Sequence, residues 1–261
     1  MGIRNNSKRI FVLGLGHQKC GTSWLHRYLC QFNFFALGEA KEYHVWDRID
    51  IPIFQKYGSK IKQKLENYPN LYFDYFDNLM SGNKRLTADI TPSYSGLKAE
   101  RLKQIYHKFS SRNIDVKPVI LTREPLSRIK SAVRFNLDRK NYSEGININE
   151  TNFEKALLQY YKTEHCKIRT NYENIISETS KIFNTKNIYI GFYENMFTKS
   201  EVCRLSSFLE VSSNFDFTKV YVNKTKNKVI KTEFDLIIKD FYKDTYEYFY
   251  QKFPITREIW K

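Results

Sequence analysis

The sequence predicts an α/β fold: a central parallel sheet with helices on both faces, three layers in all. Three observations carry that expectation. Apolar runs of strand length alternate with amphipathic helical stretches, the pattern of repeated βαβ units. The first run, Ile10–Leu15, is apolar throughout, as a strand buried on both faces must be. That run ends in a glycine loop, Gly14-Leu-Gly-His-Gln-Lys-Cys-Gly21, which leads straight into a helical stretch.

Taken in order, the helix after the loop is expected over Thr22–Cys30, with Trp24, Leu25, Tyr28 and Leu29 on one face. Lys41–Asp50 has no clean period and reads as a loop, and Ile51–Met80 reads as two irregular helices. Arg85–Ile90 is a short strand stopped by Thr91-Pro92, and Leu97–Phe109 is helical. Pro118–Thr122 is the next strand, followed by a helix over Pro125–Leu137 with proline in its first turn. Phe153–Tyr161 and Arg169–Phe183 are helices, Asn187–Tyr193 a further strand and Ser200–Leu209 a helix. Val220–Val229 is a basic loop, and Phe234–Phe253 an aromatic-rich closing helix whose Tyr246, Phe249, Tyr250 and Phe253 recur at helical spacing. Without repeats, low-complexity linkers or a Pro/Gly hinge, a single domain over 1–261 is expected, led by a polar, flexible stretch at 1–9.

Composition narrows the function classes. With 41% hydrophobic and 16% aromatic residues, wholesale disorder is excluded. No apolar run reaches the roughly 18–20 residues of a membrane span. Lys and Arg number 43 against 28 Asp and Glu, a formal charge of +15 that calls for an anionic partner. The lysines are dispersed and none of the nucleic-acid motifs occurs, so no nucleic acid is expected. Cys20, Cys30, Cys166 and Cys203 lack zinc-site or disulfide-scaffold spacing, which points to reduced thiols and a cytoplasmic setting. The alternative is the lumenal catalytic part of an anchored enzyme. The sequons at Asn5, Asn141, Asn149 and Asn223 are expected by chance in so Asn-, Ser- and Thr-rich a chain.

The chemistry concentrates where the strands end. Gly16-His-Gln-Lys-Cys-Gly-Thr-Ser23 offers backbone N–H groups and a positive helix end to a phosphate. It is neither a dinucleotide fingerprint, since Lys19 stands where glycine is needed, nor a Walker A loop, since Thr22 occupies the lysine position. Lys19, Gly21, Thr22, Ser23, Trp24 and Leu25 instead resemble the loop of sulfotransferases, which cradles the 5′-phosphosulfate of 3′-phosphoadenosine 5′-phosphosulfate (PAPS). Arg123-Glu-Pro-Leu-Ser-Arg-Ile-Lys-Ser131 resembles that family's second element, which holds the 3′-phosphate through Arg123 and Ser131, with Arg128 as the middle arginine. Lys41-Glu-Tyr-His-Val-Trp-Asp47 is similar to a stretch of the heparan sulfate 3-O-sulfotransferase-like branch, as are Thr91-Pro-Ser-Tyr94 and Asn223-Lys-Thr-Lys226. Asp89-Ile90 and Asn227 depart from that branch, and its C-terminal cysteine pair is absent.

The resemblance implies a P-loop-containing nucleotide hydrolase-like fold and a PAPS-dependent transfer of a sulfuryl group, leaving PAP (3′-phosphoadenosine 5′-phosphate). It implies Lys19, Cys20, Gly21, Thr22, Ser23, Trp24, Arg123, Ser131, Lys224 and Lys226 at the donor, and His44, Asp47, Ser93 and Tyr94 at the acceptor. Glu42 is expected as general base, with Lys19 stabilising the leaving phosphate and His44 orienting Glu42 or replacing it. The acceptor is expected to bear a hydroxyl on a carbohydrate, neutral or anionic. No metal is expected, since His17, His26, His107 and His165 form no ligand cluster in the sequence. The competing readings are a P-loop kinase of small molecules, weakened by Thr22, and a basic module that only binds nucleic acid or anionic glycan.

Overall fold

The computed structural model describes residues 8–55, 60–222 and 231–260. Four strands, β1 (Arg9–Gly14), β2 (Leu86–Asp89), β3 (Ile114–Thr122) and β4 (Tyr189–Phe192), form one all-parallel sheet in the order β2-β1-β3-β4. The helices in chain order are α1 (Thr22–Cys30), α2 (Trp46–Asp50), α3 (Lys60–Asn67), α4 (Pro69–Leu79), α5 (Ala99–Ser110), α6 (Pro125–Asp138) and α7 (Phe153–Tyr160). They continue with α8 (Glu164–Ile168), α9 (Tyr172–Ser180), α10 (Lys199–Phe208), α11 (Asp235–Phe241), α12 (Lys243–Lys252) and α13 (Thr256–Ile259).

The central strand shows why the apolar run does not alternate. Ile10 and Val12 point into one core, with Leu25, Tyr28 and Leu29 of α1 and Leu205 of α10. Phe11 and Leu13 point into the other, with Tyr72 and Phe76 of α4 and Phe109 of α5. Both faces being covered, every residue of the strand past Arg9 must be apolar or glycine. Aromatics fill the second core: Phe11 stacks on Phe109 at 4.1 Å, and Phe249 of α12 stacks on Trp260 at 4.8 Å. Among the described residues no helix is long and apolar enough to cross a membrane.

The departures from expectation have local causes. β1 begins at Arg9, inside the stretch expected to be flexible, because that residue pairs with Ile114 in the sheet. β3 starts four residues before Pro118, since Asp115 and Lys117 alternate with buried Ile114 and Val116 and satisfy their charges together and through Lys8 and Glu210. Lys41–Asp50 holds one short turn of helix, α2, too brief to show a period. The stretch read as one helix over Arg169–Phe183 starts at Tyr172, after a separate turn, α8. The closing helix is two helices broken at Tyr242, whose hydroxyl donates to the Tyr161 carbonyl at 2.6 Å. The basic loop over Val220–Val229 lies mostly outside the described residues.

Candidate functional site

All four strands deliver residues to one cavity of about 320 Å³ at their carboxyl ends. The loop after β1 contributes Gln18, Lys19, Gly21, Thr22, Ser23 and Trp24; β2 is followed by Pro92 and Ser93, β3 by Arg123 and β4 by Tyr193. The crevice lies where strand order reverses around β1 and β3, the place where open parallel sheets bind ligands.

The loop is built to receive an anion. Gly21 caps α1 at φ 93, a left-handed conformation that suits glycine, and a Cβ there would stand 2.5 Å from the Met196 sulfur. As the first residues of α1, Thr22 and Ser23 keep N–H groups that no carbonyl of the helix can reach. Cys20 contributes differently from expectation: its amide donates to the His17 carbonyl, its side chain is fully buried away from the cavity, and burial pushes its thiol up to about 12.

The cations of this side rest on aromatic rings. The Lys19 ammonium lies 4.4 Å from the Phe135 ring centre, and the Arg123 guanidinium 4.4 Å from that of Tyr193. Among the described residues neither has a carboxylate within 4 Å. Burial, then the charges of Arg123, Arg139 and Arg128, bring the Lys19 ammonium down to about 8. Arg123 donates to the Lys19 carbonyl at 3.3 Å, tying β3 to the loop. Ser131 reaches the same cavity from α6, which Glu124 caps by accepting from the Ser127 amide at 2.6 Å. Arg128 does not join them. It is fully buried, donating to the Cys166 sulfur at 3.0 Å and to the Tyr160 hydroxyl.

Opposite stands a chain of charges: Lys41, Glu42, His44 and Asp47. Lys41 Nζ is 2.6 Å from Glu42 Oε1, Glu42 Oε2 is 3.3 Å from His44 Nε2, and His44 Nδ1 is 2.7 Å from Asp47 Oδ2. Burial raises the Glu42 carboxyl, but hydrogen bonds from His44 and Lys41 and their charges outweigh it and hold it at about 2. Burial lowers the His44 imidazole, yet Asp47 and Glu42 together lift it to about 9. At neutral pH Glu42 is therefore an anion and His44 a cation.

Asp89, at the end of β2, holds this chain in place. It accepts from Thr91 at 2.6 Å, Tyr94 at 2.8 Å and Tyr72 at 2.9 Å; burial still lifts its carboxyl to about 6. Thr91 Oγ1 accepts from the Tyr43 amide at 2.9 Å, and the Tyr94 hydroxyl from the Val45 amide at 3.3 Å. Two stretches distant in sequence, 41–47 and 91–94, are thereby one structural unit.

Of the residues expected at the site, Lys19, Gly21, Thr22, Ser23, Trp24, Glu42, His44, Ser93, Arg123 and Ser131 line the cavity. Asp47 and Tyr94 are fully buried and do not line the cavity; one is bonded to His44 and the other to Asp89, so they support its wall. Lys224 and Lys226 lie outside the described residues. Sequence reasoning missed Lys41, Gln18, Phe135, Asn141, Glu144, Arg169 and Tyr193. Tyr193 follows a strand end and could have been found by that rule. Glu144 and Arg169 form a buried pair at 2.5 Å that only the fold brings together. His17 is a packing residue: fully buried, beside the Leu121 carbonyl at 3.0 Å, with burial bringing its imidazole down to about 3. Among the described residues no three His, Cys, Asp or Glu side chains converge as a metal-binding group.

The family model described as a sulfotransferase domain matches residues 8–252. No curated protein matches the chain in sequence. Among solved structures, a sulfotransferase from Alicyclobacillus acidocaldarius is 21% identical with a TM-score of 0.56, covering 91% of this chain and 92% of its own. The sulfotransferase domain of the Synechococcus PCC 7002 olefin synthase is 15% identical, with a TM-score of 0.47 and coverage of 83% and 79%. The sulfotransferase domain from the curacin biosynthetic pathway is 18% identical, with a TM-score of 0.40 and coverage of 80% and 76%. The likeness in fold rests on the first of these.

Proposed function

The chain belongs to the sulfotransferase domain family, and from that premise we propose that its donor is PAPS and its acceptor a carbohydrate hydroxyl, with Glu42 as general base. The observation that carries the reading is the shared cavity: on one wall Lys19 and Arg123, which among the described residues have no carboxylate partner, with the first amides of α1, and on the other an ionised carboxylate. The residues fit the donor. Lys19 and the amides of Thr22 and Ser23 suit its 5′-phosphosulfate, Arg123 and Ser131 its 3′-phosphate, and Trp24 and Tyr193 offer rings to its base.

In the transfer, the acceptor oxygen bonds to sulfur while the bond from sulfur to the 5′-phosphate oxygen breaks. Glu42 takes the hydroxyl proton, and the electron pair leaves on PAP, where Lys19 and the helix amides meet the growing charge. His44, protonated between two carboxylates, orients Glu42. Such a reaction depends on alignment and charge neutralisation, which side chains positioned at the strand ends supply. The remaining lining, Gln18, Ser93, Asn141, Glu144 and Arg169 with Phe135, is mostly polar and suits a polyhydroxylated acceptor. The packing of 41–47 on 91–94 supports a reading within the heparan sulfate 3-O-sulfotransferase-like branch. One sheet and a match over 8–252 support a single domain, and unpaired cysteines a reducing compartment.

The test is a thermal-shift titration with PAP, ADP and ATP, with and without Mg²⁺. Saturation near a hundredfold over Kd adds about 2.7 kcal/mol of stability. A metal-independent rise specific to PAP is expected. A rise only with ATP and Mg²⁺ would overturn PAPS as the donor in favour of the kinase reading, and no rise with any nucleotide would sink the donor assignment.

A further inference from the structure

Lys41 is the residue on which the two walls of the cavity meet. Its ammonium is 2.6 Å from Glu42 Oε1, 3.2 Å from Thr22 Oγ1 and 3.4 Å from Ser23 Oγ. One cation thus touches both the carboxylate expected to take the acceptor's proton and the hydroxyls at the helix end expected to receive the donor. We propose, resting on the donor assignment above, that Lys41 is a further catalytic residue. It binds Glu42 while the pocket is empty and turns to the sulfonate of PAPS when the donor is bound.

Three physical arguments support this. A sulfonate set against the helix end brings a negative group toward the Glu42 carboxylate, and two anions at close range need a cation between them. The Lys41 ammonium already occupies that seam. An ammonium has three N–H donors on a flexible stem. Among the described residues, two of the ammonium's three contacts are neutral hydroxyls at the long end of the hydrogen-bond range, weaker partners than a charged oxygen. Finally, Glu42 is a poor proton acceptor while two cations hold its ionised form. Losing Lys41 to the donor strengthens it as a base when a sulfuryl group is present to be transferred. The charged and titratable groups facing Glu42 are Lys41, His44 and, from α1, His26; Asp47 stands behind His44.

The experiment compares PAPS with PAP, two ligands that differ by the sulfonate, in calorimetric titrations of the full chain and of Lys41→Met and Lys41→Arg. Lys41→Met should bind PAPS roughly ten- to a hundredfold more weakly, the range for a hydrogen bond to a charged group, and PAP within about twofold of the parent. Lys41→Arg should restore most of the PAPS affinity. Equal binding of PAPS by Lys41→Met and the parent overturns the proposal. So does an equal loss of PAPS and PAP, which would make Lys41 part of the loop's scaffold. If the unsubstituted chain binds neither ligand, the donor assignment itself is wrong. If Lys41→Met does not fold, the comparison falls to Lys41→Gln: loss of the PAPS preference supports the assignment, and its retention refutes it.

Discussion

The two walls of the cavity handle charge in opposite ways. On the loop side, Lys19 and Arg123 lie over aromatic rings with no carboxylate within reach among the described residues, and buried Arg128 adds charge behind them. On the facing side, Lys41, Glu42, His44 and Asp47 alternate in sign and neutralise one another. One wall is a standing positive field that an incoming anion completes; the other is a balanced chain in which moving one proton or one cation changes the reactivity of the rest. On the proposed reading the first serves binding and the second chemistry, and substitutions should separate them.

The largest effect expected is on turnover. Glu42→Gln keeps the size of the side chain and removes its proton affinity, so the rate of sulfuryl transfer should fall about 10²- to 10⁴-fold. PAP affinity should be unchanged; a loss of affinity at normal rate would move Glu42 to the binding wall. Next comes Arg123→Ala, which should weaken PAP by about 2–3 kcal/mol, near 30- to 150-fold. The salt dependence of PAP binding should become shallower as well. A variant that binds PAP like the parent would show that the 3′-phosphate lies elsewhere.

The smallest effect sharpens the picture of the balanced wall. His44 is lifted to about 9, so its ion pairs contribute stability fully below its ordinary 6.5 and lose that contribution as pH rises through about 9. Asp47→Asn removes one of the two carboxylates that raise it. The His44 midpoint, followed by its imidazole NMR signals, should fall toward the ordinary value, and the alkaline loss of thermal stability should begin at lower pH. An unmoved midpoint would mean that Glu42 alone holds the proton.

How much of this was legible in the sequence differs between the walls. The loop side is a strand, a loop and a helix contiguous in sequence, and Lys19, Gly21, Thr22, Ser23 and Trp24 all line the cavity as their order implied. Arg123 and Ser131 followed because nine contiguous residues at one strand-to-helix junction carry both. The facing wall was legible in its chemistry but not in its orientation. Asp47 and Tyr94 were expected at the acceptor, but a short turn of helix and a hydrogen bond to Asp89 turn them inward. Glu144 and Arg169 had no local signal at all.

By itself, then, the sequence determined the α/β alternation, the doubly covered first strand, the glycine loop that leads into α1, and the family. Each is written in contiguous residues through period, propensity and spacing, where a side chain's neighbours are its neighbours in the chain. Only the tertiary structure decided which charges face one another. Buried Asp89 gathers Thr91, Tyr94 and Tyr72, and through them fixes where Lys41, Glu42 and His44 stand. An ion pair's strength, and the proton affinity it sets, depends on distance and burial, which arise only when separate segments are packed together.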